Sequence, residues 1–421
     1  MSYQGARHLY VTFVLFLVLG RGGICMAQYD VRMSQTGSEA AAARKESKKF
    51  KRGSPNLRLG PLEISFGGGL TQEYNDNIGL SQTKTVDDII MTPSLGIGVA
   101  WPVTALNGLN ASLGLGYAKY MNHPEFDSET ILIQPDSAGE FDFYIKDVRF
   151  TVSSRMSLQQ DPATVAQLSN LTTFRRLTTA QGLNMEWDLN KIFVSGGYQR
   201  DAFKSLENER FTFLNHTSHS LNAMAGVRIS PTLNAGVLSS YSYTTYEEST
   251  QNGSNGYSSG LFASMVLTEY LSTGAMASFQ GSDFERGGKI GDNTDFGSMV
   301  YSLSLAHKLN RWVDHSVAFR RFTTLGIGSN FTDIREVTYD LRPDILRDIK
   351  TTFSFGHQWS EDSQSLTAEK RTNYTLSTQL GYQLMEATMV NLTYQRTEKA
   401  SDRLDSSYEQ NRVTLAVSHQ F

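Results

Sequence analysis

The sequence of 421 residues has little of what large soluble proteins are built from. Hydrophobic residues reach only 39%, whereas globular domains contain about 45–50%. A chain with so few of them would struggle to fill a large closed core, which disfavours a soluble multidomain protein. The single cysteine excludes a disulfide framework. The formal net charge of −4 indicates no polyanionic partner, so we expect no binding of nucleic acid.

Residues 1–27 have the pattern of a signal peptide. A basic start precedes an apolar run over residues 9–19, which is too short for a membrane helix of about 20 residues. Cys25-Met26-Ala27 predicts cleavage after Ala27. Acylation of Cys25 as a lipoprotein is the alternative, and Ile24 disfavours it because such sites favour a small residue there. No other apolar run approaches the length of a membrane helix.

Residues 28–60 form a separate region without a strand pattern. A run of alanines leads into a basic cluster around Arg44-Lys45. We expect a disordered periplasmic leader. The alternative is a basic arm that binds anionic lipid, a partner or a glycan.

From residue 62 onward the hydrophobic pattern takes a period of two. Leu62, Ile64 and Phe66 alternate with Glu63 and Ser65, which gives a strand with one apolar and one polar face. We count 18 such segments before the chain ends. An even number of spanning strands brings both termini to the periplasmic side.

The connections between these segments alternate in length. Short ones such as Ser230-Pro231-Thr232 are followed by long polar ones such as 281–296. Outer-membrane barrels pair short periplasmic turns with longer external loops in this way. The sequence therefore predicts an all-β fold, a transmembrane antiparallel up-and-down barrel of about 18 strands over residues 61–421, in a bacterial outer membrane.

The aromatic residues and the last strand agree with a membrane barrel. Val413, Leu415 and Val417 share one face of a strand that ends at Phe421. This ending resembles the C-terminal signature that the barrel-assembly machinery of outer membranes reads, so that machinery is an expected partner. Amphipathic rings favour the headgroup layers, and two belts are predicted, one on the loop side and one on the turn side: Tyr74, Tyr117, Tyr198, Tyr243, Tyr257, Trp359 and Tyr394, and then Trp101, Trp187 and Phe421.

Strand parity identifies the side chains that face the lumen. Acids and bases on this face nearly balance, so ring-type charge selection is not evident. Serine, threonine, asparagine and glutamine supply most of the rest, which suits uncharged hydrophilic solutes such as sugars. The alternative is simply a wet interior with ion pairs that satisfy one another. Ten charged residues are the predicted pore-lining candidates: Arg149, Arg155, Arg228, Arg320, Lys350, Arg371, Glu140, Asp142, Glu336 and Asp340.

Little in the sequence points to catalysis or to a cofactor. His216 and His219 lie close to Ser218 and Ser220, but no third residue is specified that would orient a Ser–His pair. The same histidines have no matching acid or cysteine pair for zinc. The run Gly67-Gly68-Gly69 lies inside a strand, and we interpret it as small wall residues or as a bulge. We predict no enzyme activity, no cofactor and no metal.

Tandem arginines mark the external rim at two places. Arg175-Arg176 begins a strand and Arg320-Arg321 ends another. Guanidinium groups pair well with phosphate and carboxylate, so contact with lipopolysaccharide or an acidic polysaccharide is one interpretation. Solvated rim charges, or charges on lipid headgroups, are the alternative.

The chain also resembles the outer-membrane β-barrel porins found with exopolysaccharide synthesis and export systems. The resemblance covers about residues 60–421 and implies an outer-membrane channel, with polysaccharide-export components as partners. Its motifs are more specific for the family than for a substrate, and it carries no catalytic residues. It rests on four short motifs: Glu73-Tyr74-Asn75-Asp76-Asn77-Ile78, Val148-Arg149-Phe150, Gln159-Gln160-Asp161-Pro162 and Trp187-Asp188-Leu189-Asn190.

Two functions are carried forward. The first is a passive pore for hydrophilic solutes or for a secreted polysaccharide. The second is a non-conducting structural or adhesive barrel that acts through its external loops, with loops such as 160–173 and 281–296 folded inward to close the lumen. The position of these loops distinguishes the two.

Overall fold

The structure is a computed structural model that describes residues 55–421 apart from 105, 166, 208–210 and 345–347. The predicted signal peptide and most of the predicted leader lie outside the described residues. Among the described residues, no helix is long and apolar enough to cross a membrane. The helical segments there are single 3₁₀ turns, such as Pro162–Thr164.

Eighteen long strands form one antiparallel sheet that closes on itself. Each strand pairs with its neighbours along the chain, and β1 pairs with β18 from Gly67↔Gln420 to Asn75↔Arg412. The predicted all-β barrel of 18 strands is confirmed. The strands are β1 Leu62–Asn75, β2 Asp88–Pro102, β3 Gly108–Gly116, β4 Ala138–Ile145, β5 Val148–Gln159, β6 Arg176–Asp188, β7 Ile192–Ser205, β8 His216–Ser230, β9 Leu233–Tyr246, β10 Ser254–Val266, β11 Leu271–Phe284, β12 Phe296–Asn310, β13 Val313–Leu325, β14 Phe331–Pro343, β15 Ile349–Asp362, β16 Lys370–Met385, β17 Thr388–Ser401 and β18 Tyr408–Gln420.

Three short strands supplement the barrel wall. Leu57–Leu59 folds back on the start of β1. Lys119–Tyr120 and Leu132–Ile133 lie in the connection between β3 and β4, where they extend the pairing of β2, β3 and β5. They compensate for the shortness of β3 and β4, which would otherwise leave strand edges without partners.

Side chains alternate between an apolar outer face and a polar inner face. On β12, Met299, Leu303 and Leu309 are 47%, 53% and 60% exposed, while Ser302 and Ser304 point the other way. Exposed apolar side chains are expected where a barrel faces hydrocarbon, because all its backbone groups are already paired in the sheet. All ten aromatic residues assigned above to the two belts are among the exposed large side chains.

The glycine run of β1 is a regular part of the wall. The pairing of β1 with β2 and β18 continues through Gly67, Gly68 and Gly69 without a shift in register, so the interpretation as a bulge is wrong. Gly68 lies beneath the ring of Phe421, since a Cβ built there would be 3.4 Å from Cζ of that ring. The last residue of the chain therefore packs on the glycine run from the outer face.

Candidate functional site: the barrel lumen

The inner face carries ion pairs between neighbouring strands. Arg149 Nη2 lies 2.6 Å from Asp142 Oδ2, and Thr151 Oγ1 donates to the same carboxylate. Further round the wall, Arg320 Nε lies 2.5 Å from Glu336 Oε2. Pairs of this kind hold their charges close together, so the field that a solute meets is weak beyond the pair itself.

By strand parity the ten predicted pore-lining residues lie on this face, and seven of them have partners. Arg228 binds Asp188 near the periplasmic end, Asp340 accepts a hydrogen bond from Ser354, and Arg371 pairs with Asp362. Among the described residues, no ion pair includes one of the remaining three, which are Arg155, Lys350 and Glu140. Their contact with a permeating solute stays a prediction.

The loop between β5 and β6 is anchored at its base by Arg176, which is 2% exposed. Its Nη1 donates to the carbonyls of Asp161 and Phe174, at 3.0 and 3.1 Å, and its Nη2 donates to Gln159 Oε1 at 3.0 Å. Asp161 caps the short 3₁₀ turn through Ala163 N. The guanidinium thus satisfies carbonyls at both ends of the loop and fixes its direction into the barrel.

From this base, residues 160–173 cross the lumen. Gln167 Nε2 donates to Thr332 Oγ1 at 3.1 Å and to the Leu325 carbonyl at 3.4 Å. Thr332 and Leu325 belong to β14 and β13, eight strands round the 18-strand wall. Asn170 N donates to the Leu80 carbonyl, and Asn170 Nδ2 donates to the Asp405 carbonyl. A loop held at four places round the wall narrows the lumen.

The hairpin of β13 and β14 also folds inward at its external end. Phe331 packs edge-on against Phe296, with ring centroids 5.2 Å apart, and lies 5.9 Å from Phe284. By parity these two rings belong to the inner face of β12 and β11. Gln280, on the inner face of β11, donates to Thr323 Oγ1 at 2.7 Å. The hairpin tip therefore lies inside the barrel mouth.

An apolar cluster joins the crossing loop to the hairpin tip. Its buried members come from the β5–β6 and β7–β8 connections, and Ile327 from the hairpin tip packs against it. Aromatic contacts stabilise it, for example Phe174 against Phe211 at 4.9 Å. Burial of this much apolar surface stabilises the inward position of the loop. The buried members are Val165, Leu168, Phe174, Phe211 and Leu214.

Charged groups border the narrowed section. Arg412 Nη1 lies 3.2 Å from Asp161 Oδ2 on the loop and 3.8 Å from Glu73 Oε1 on β1. On the neighbouring strands, Glu369 pairs with both Arg371 and Lys399. These groups again balance one another, so the constriction carries both signs of charge.

The histidines near Ser218 do not assemble as a catalytic site. His216 faces inward, where its ring stacks on Phe203 at 5.4 Å, while His219 faces outward and bonds the Tyr198 hydroxyl at 2.7 Å. Ser218 Oγ bonds Thr244 Oγ1. Across the described residues, no group of three or more His, Cys, Asp or Glu side chains could hold a metal ion.

The tandem arginines are engaged within the protein. Arg175 pairs with Glu129 and Glu207, Arg176 lies at the base of the crossing loop, and Arg321 pairs with Asp333 at 2.8 Å. Contact of Arg320 or Arg321 with lipopolysaccharide stays a prediction. It would require the Arg320–Glu336 and Arg321–Asp333 pairs to open.

Sequence reasoning missed the residues that hold the constriction together. Gln167 and Asp161 lie in a loop whose inward position the sequence suggested only as an alternative, without its partners. Their partners, such as Thr332 and Arg412, are distant in sequence. A single sequence shows no signal for such pairs, because the contacts depend on how the closed barrel brings its loops over one lumen.

Solved structures with the same architecture are outer-membrane porins. The crystal structure of Pseudomonas aeruginosa OpdK with vanillate matches 85% of this chain and 99% of its own, with a TM-score of 0.50 and 10% sequence identity. A BenF-like porin from Pseudomonas fluorescens Pf-5 matches the same shares, with a TM-score of 0.51 and 11% identity. The chain has the fold of an outer-membrane porin.

At 10–11% sequence identity, the similarity to these porin structures shows the fold alone. No protein-family model matches the sequence, and no curated protein matches it significantly. The porin fold, together with the exposed apolar belt, places the protein in a bacterial outer membrane. The expected link to exopolysaccharide export is not part of this likeness.

Proposed function

We propose that the protein is a passive channel for small hydrophilic solutes across the outer membrane. The observation that carries this proposal is the contrast between the two faces of one closed wall. The outer face is apolar and the inner face is polar, with neutralised ion pairs such as Arg149–Asp142 and Arg320–Glu336. Barrels of 16–18 strands leave an aqueous channel unless they are plugged.

The constriction favours small solutes over a polymer. A solute has to pass the section of the lumen that residues 160–173 and the inward hairpin of β13 and β14 narrow. Gln167 joins these two segments. A hydrated polysaccharide chain would need these contacts to break. The polysaccharide outlet implied by the family resemblance stays a prediction, which requires the loop to leave the lumen.

Planar-bilayer recording tests the channel. The purified full chain is compared with a variant in which residues 163–171 are replaced by a short Gly-Ser linker. We expect measurable conductance from the full chain and a severalfold larger conductance from the variant, with weak selectivity between cations and anions because the lumen charges balance. Silence in both proteins would exclude a pore.

A non-conducting barrel that acts through its external loops is the second candidate. Residues 160–173 favour it because they cross the lumen, and so do the contacts that tie the external loops together. Asp292, which is 1% exposed, accepts hydrogen bonds from Asn330 N at 2.9 Å and from Ser363 Oγ at 2.5 Å. Asn252 Nδ2 donates to the Asp292 carbonyl and to Asn330 Oδ1. The carboxylate and carbonyl of one residue thus hold four external loops together.

The same recordings separate the two candidates. A full chain that stays silent while the shortened variant conducts identifies a plugged barrel, and the external loops then become the functional surface. A full chain that conducts excludes the plugged barrel as the resting state.

A further inference from the structure

The sheet between β12 and β13 is incomplete at its external end. Pairing of the two strands stops at Tyr301↔Arg321, although β12 continues outward to Phe296 and β13 to Leu325. On either side the ladders are complete, since β11 pairs with β12 as far as Phe296 and β13 pairs with β14 as far as Leu325. The wall therefore has a seam between these two strands.

The seam exists because the external ends of β13 and β14 tilt into the lumen above Arg321, away from β12, while β14 stays paired with β15 as far as Thr332. The hairpin tip is held there by the Gln280–Thr323 hydrogen bond, by Phe331 against Phe296, and by Gln167 of the crossing loop. These contacts are distinct from a β-ladder, and each would be lost if the hairpin returned to the wall.

One side chain closes the seam. Arg321 Nη1 donates to Ser298 Oγ at 2.9 Å and to the Met299 carbonyl at 3.2 Å, across the gap to β12. Its Nε and Nη2 are held by Asp333 on β14. The guanidinium thus binds the backbone carbonyl of Met299 on β12. If the register of the two strands continued, Thr323 would lie opposite Met299.

We propose that the β13–β14 hairpin is a gate of the channel, hinged at Arg321, with two alternative sets of partners. In the closed arrangement, described here, its tip lies in the lumen and Arg321 bridges the seam. In the open arrangement the tip moves outward together with the end of β15 that is paired to it, and the ladder between β12 and β13 continues, with Val300 opposite Phe322 and Ser298 opposite Thr324. The proposal rests on the channel function, and it names the element that regulates passage.

A two-state element needs partners in both arrangements. The continued register keeps Val300, Ser298, Phe322 and Thr324 on the inner face. Thr323 and Phe331 would turn from the inner face of β11 and β12 to the outer face, and Asn330 would leave Asp292. Opening exchanges aromatic contacts and side-chain hydrogen bonds for backbone ladder bonds. It also withdraws Thr332 from Gln167, and so releases the crossing loop.

Disulfide trapping tests the open arrangement directly. In the full-length S298C/T324C variant, a continued register would place the two cysteines opposite each other, within the geometry of a disulfide. We expect oxidation of the folded barrel to form this bond and to raise the bilayer conductance severalfold, with reversal by reductant. The single variants S298C and T324C are the controls for oxidation alone.

Cross-linking tests the closed arrangement. A Q280C/T323C variant bridged by a short bis-thiosulfonate reagent ties the hairpin to the wall, and we expect its conductance to stay low. The matched control is S258C/Q280C, because these residues face each other within the wall, on β10 and β11, and their bridge leaves the hairpin free. Equal conductance of the two bridged variants would contradict the gate.

Arg321 supplies an independent readout. We expect R321Q to raise the open fraction about tenfold or more, because it removes the charged donor of both hydrogen bonds across the seam. R396Q is the matched control, since Arg396 pairs with Glu409 on exposed wall away from the seam.

The outcomes separate the gate from the channel. The gate is wrong if the S298C/T324C bond fails to form in the folded barrel, or if it forms and leaves the conductance unchanged. If the bond forms while every variant is silent, the hairpin moves but the channel proposal fails.

Discussion

Gln167 and Thr332 are joined by a 3.1 Å hydrogen bond from Nε2 to Oγ1, although Gln167 belongs to the β5–β6 loop and Thr332 to β14, eight strands further round the wall. The loop reaches across the lumen to make this bond, which ties it directly to the inward hairpin. Replacing Gln167 by alanine removes it while leaving the apolar cluster of Val165 and Leu168 in place.

We therefore expect Q167A to increase the population of conformations in which the loop has moved aside, about three- to tenfold, because it removes the bond to Thr332 and the longer bond to the Leu325 carbonyl. Single-channel recording would show longer or larger openings. Q199A is a suitable control because Gln199 faces the lumen on β7 and bonds only Asp201 on its own strand among the described residues. Identical recordings from Q167A and the unchanged chain would mean that this tie does not hold the loop.

The two faces of β12 provide a test of membrane placement. Leu303 is 53% exposed on the outer face, and Ser302 is its neighbour on the inner face. We expect L303R to destabilise the barrel in lipid by about 2–4 kcal/mol, the cost of an arginine near the bilayer midplane, and S302R to cost much less because it meets water. Reversible urea unfolding in vesicles gives both values. Equal costs for the two variants would contradict the assignment of faces.

The Arg320–Glu336 pair provides a test of charge balance in the lumen. Removing the arginine by R320Q leaves Glu336 uncompensated, and E336Q leaves Arg320 uncompensated. We expect R320Q to shift the reversal potential in a KCl gradient toward cation selectivity and E336Q to shift it toward anion selectivity. The double variant R320Q/E336Q should return to the selectivity of the unchanged chain. A shift of the same sign in both single variants would show that the pair does not face the permeating ions.

The C-terminal residue provides a test of assembly. Phe421 N donates to the Phe66 carbonyl at 3.0 Å, and its exposed ring covers Gly68. We expect deletion of Phe421 to lower the amount of folded barrel in the outer membrane severalfold, since the proposed assembly signal ends on this ring. F421Y, which keeps the ring, is the control. Heat-modifiable mobility of the membrane fraction on a gel measures the folded amount, and equal amounts from both variants would exclude the signal.

The wall of the barrel could be predicted from the sequence because neighbouring residues alone determine the two faces of each strand. The alternation of residues such as Val413, Leu415 and Val417 with polar neighbours reports directly which side meets lipid. Tight connections such as Ser230-Pro231-Thr232 mark where a strand reverses. Eighteen segments found in this way correspond to the 18 strands of the closed sheet.

The contacts of the constriction could not be predicted, because they join residues that are far apart in the sequence. Residues 322–325 keep the alternating pattern of a wall strand although they do not pair with β12, so parity gives no sign of the seam. Asp161 and Gln167 acquire their partners only when the barrel closes. The glycine run of β1 was ambiguous for the same reason, since the ring of Phe421 that lies over Gly68 comes from the other end of the chain.

The seam between β12 and β13 also has a mechanical consequence. In a closed sheet, hydrogen-bonded ladders carry the lateral tension of the wall. Between Phe296 and Val300 that tension passes through the Arg321 side chain instead. Under an outward pull the barrel should part first along this line, so its rim is weaker there than at the complete ladders on either side.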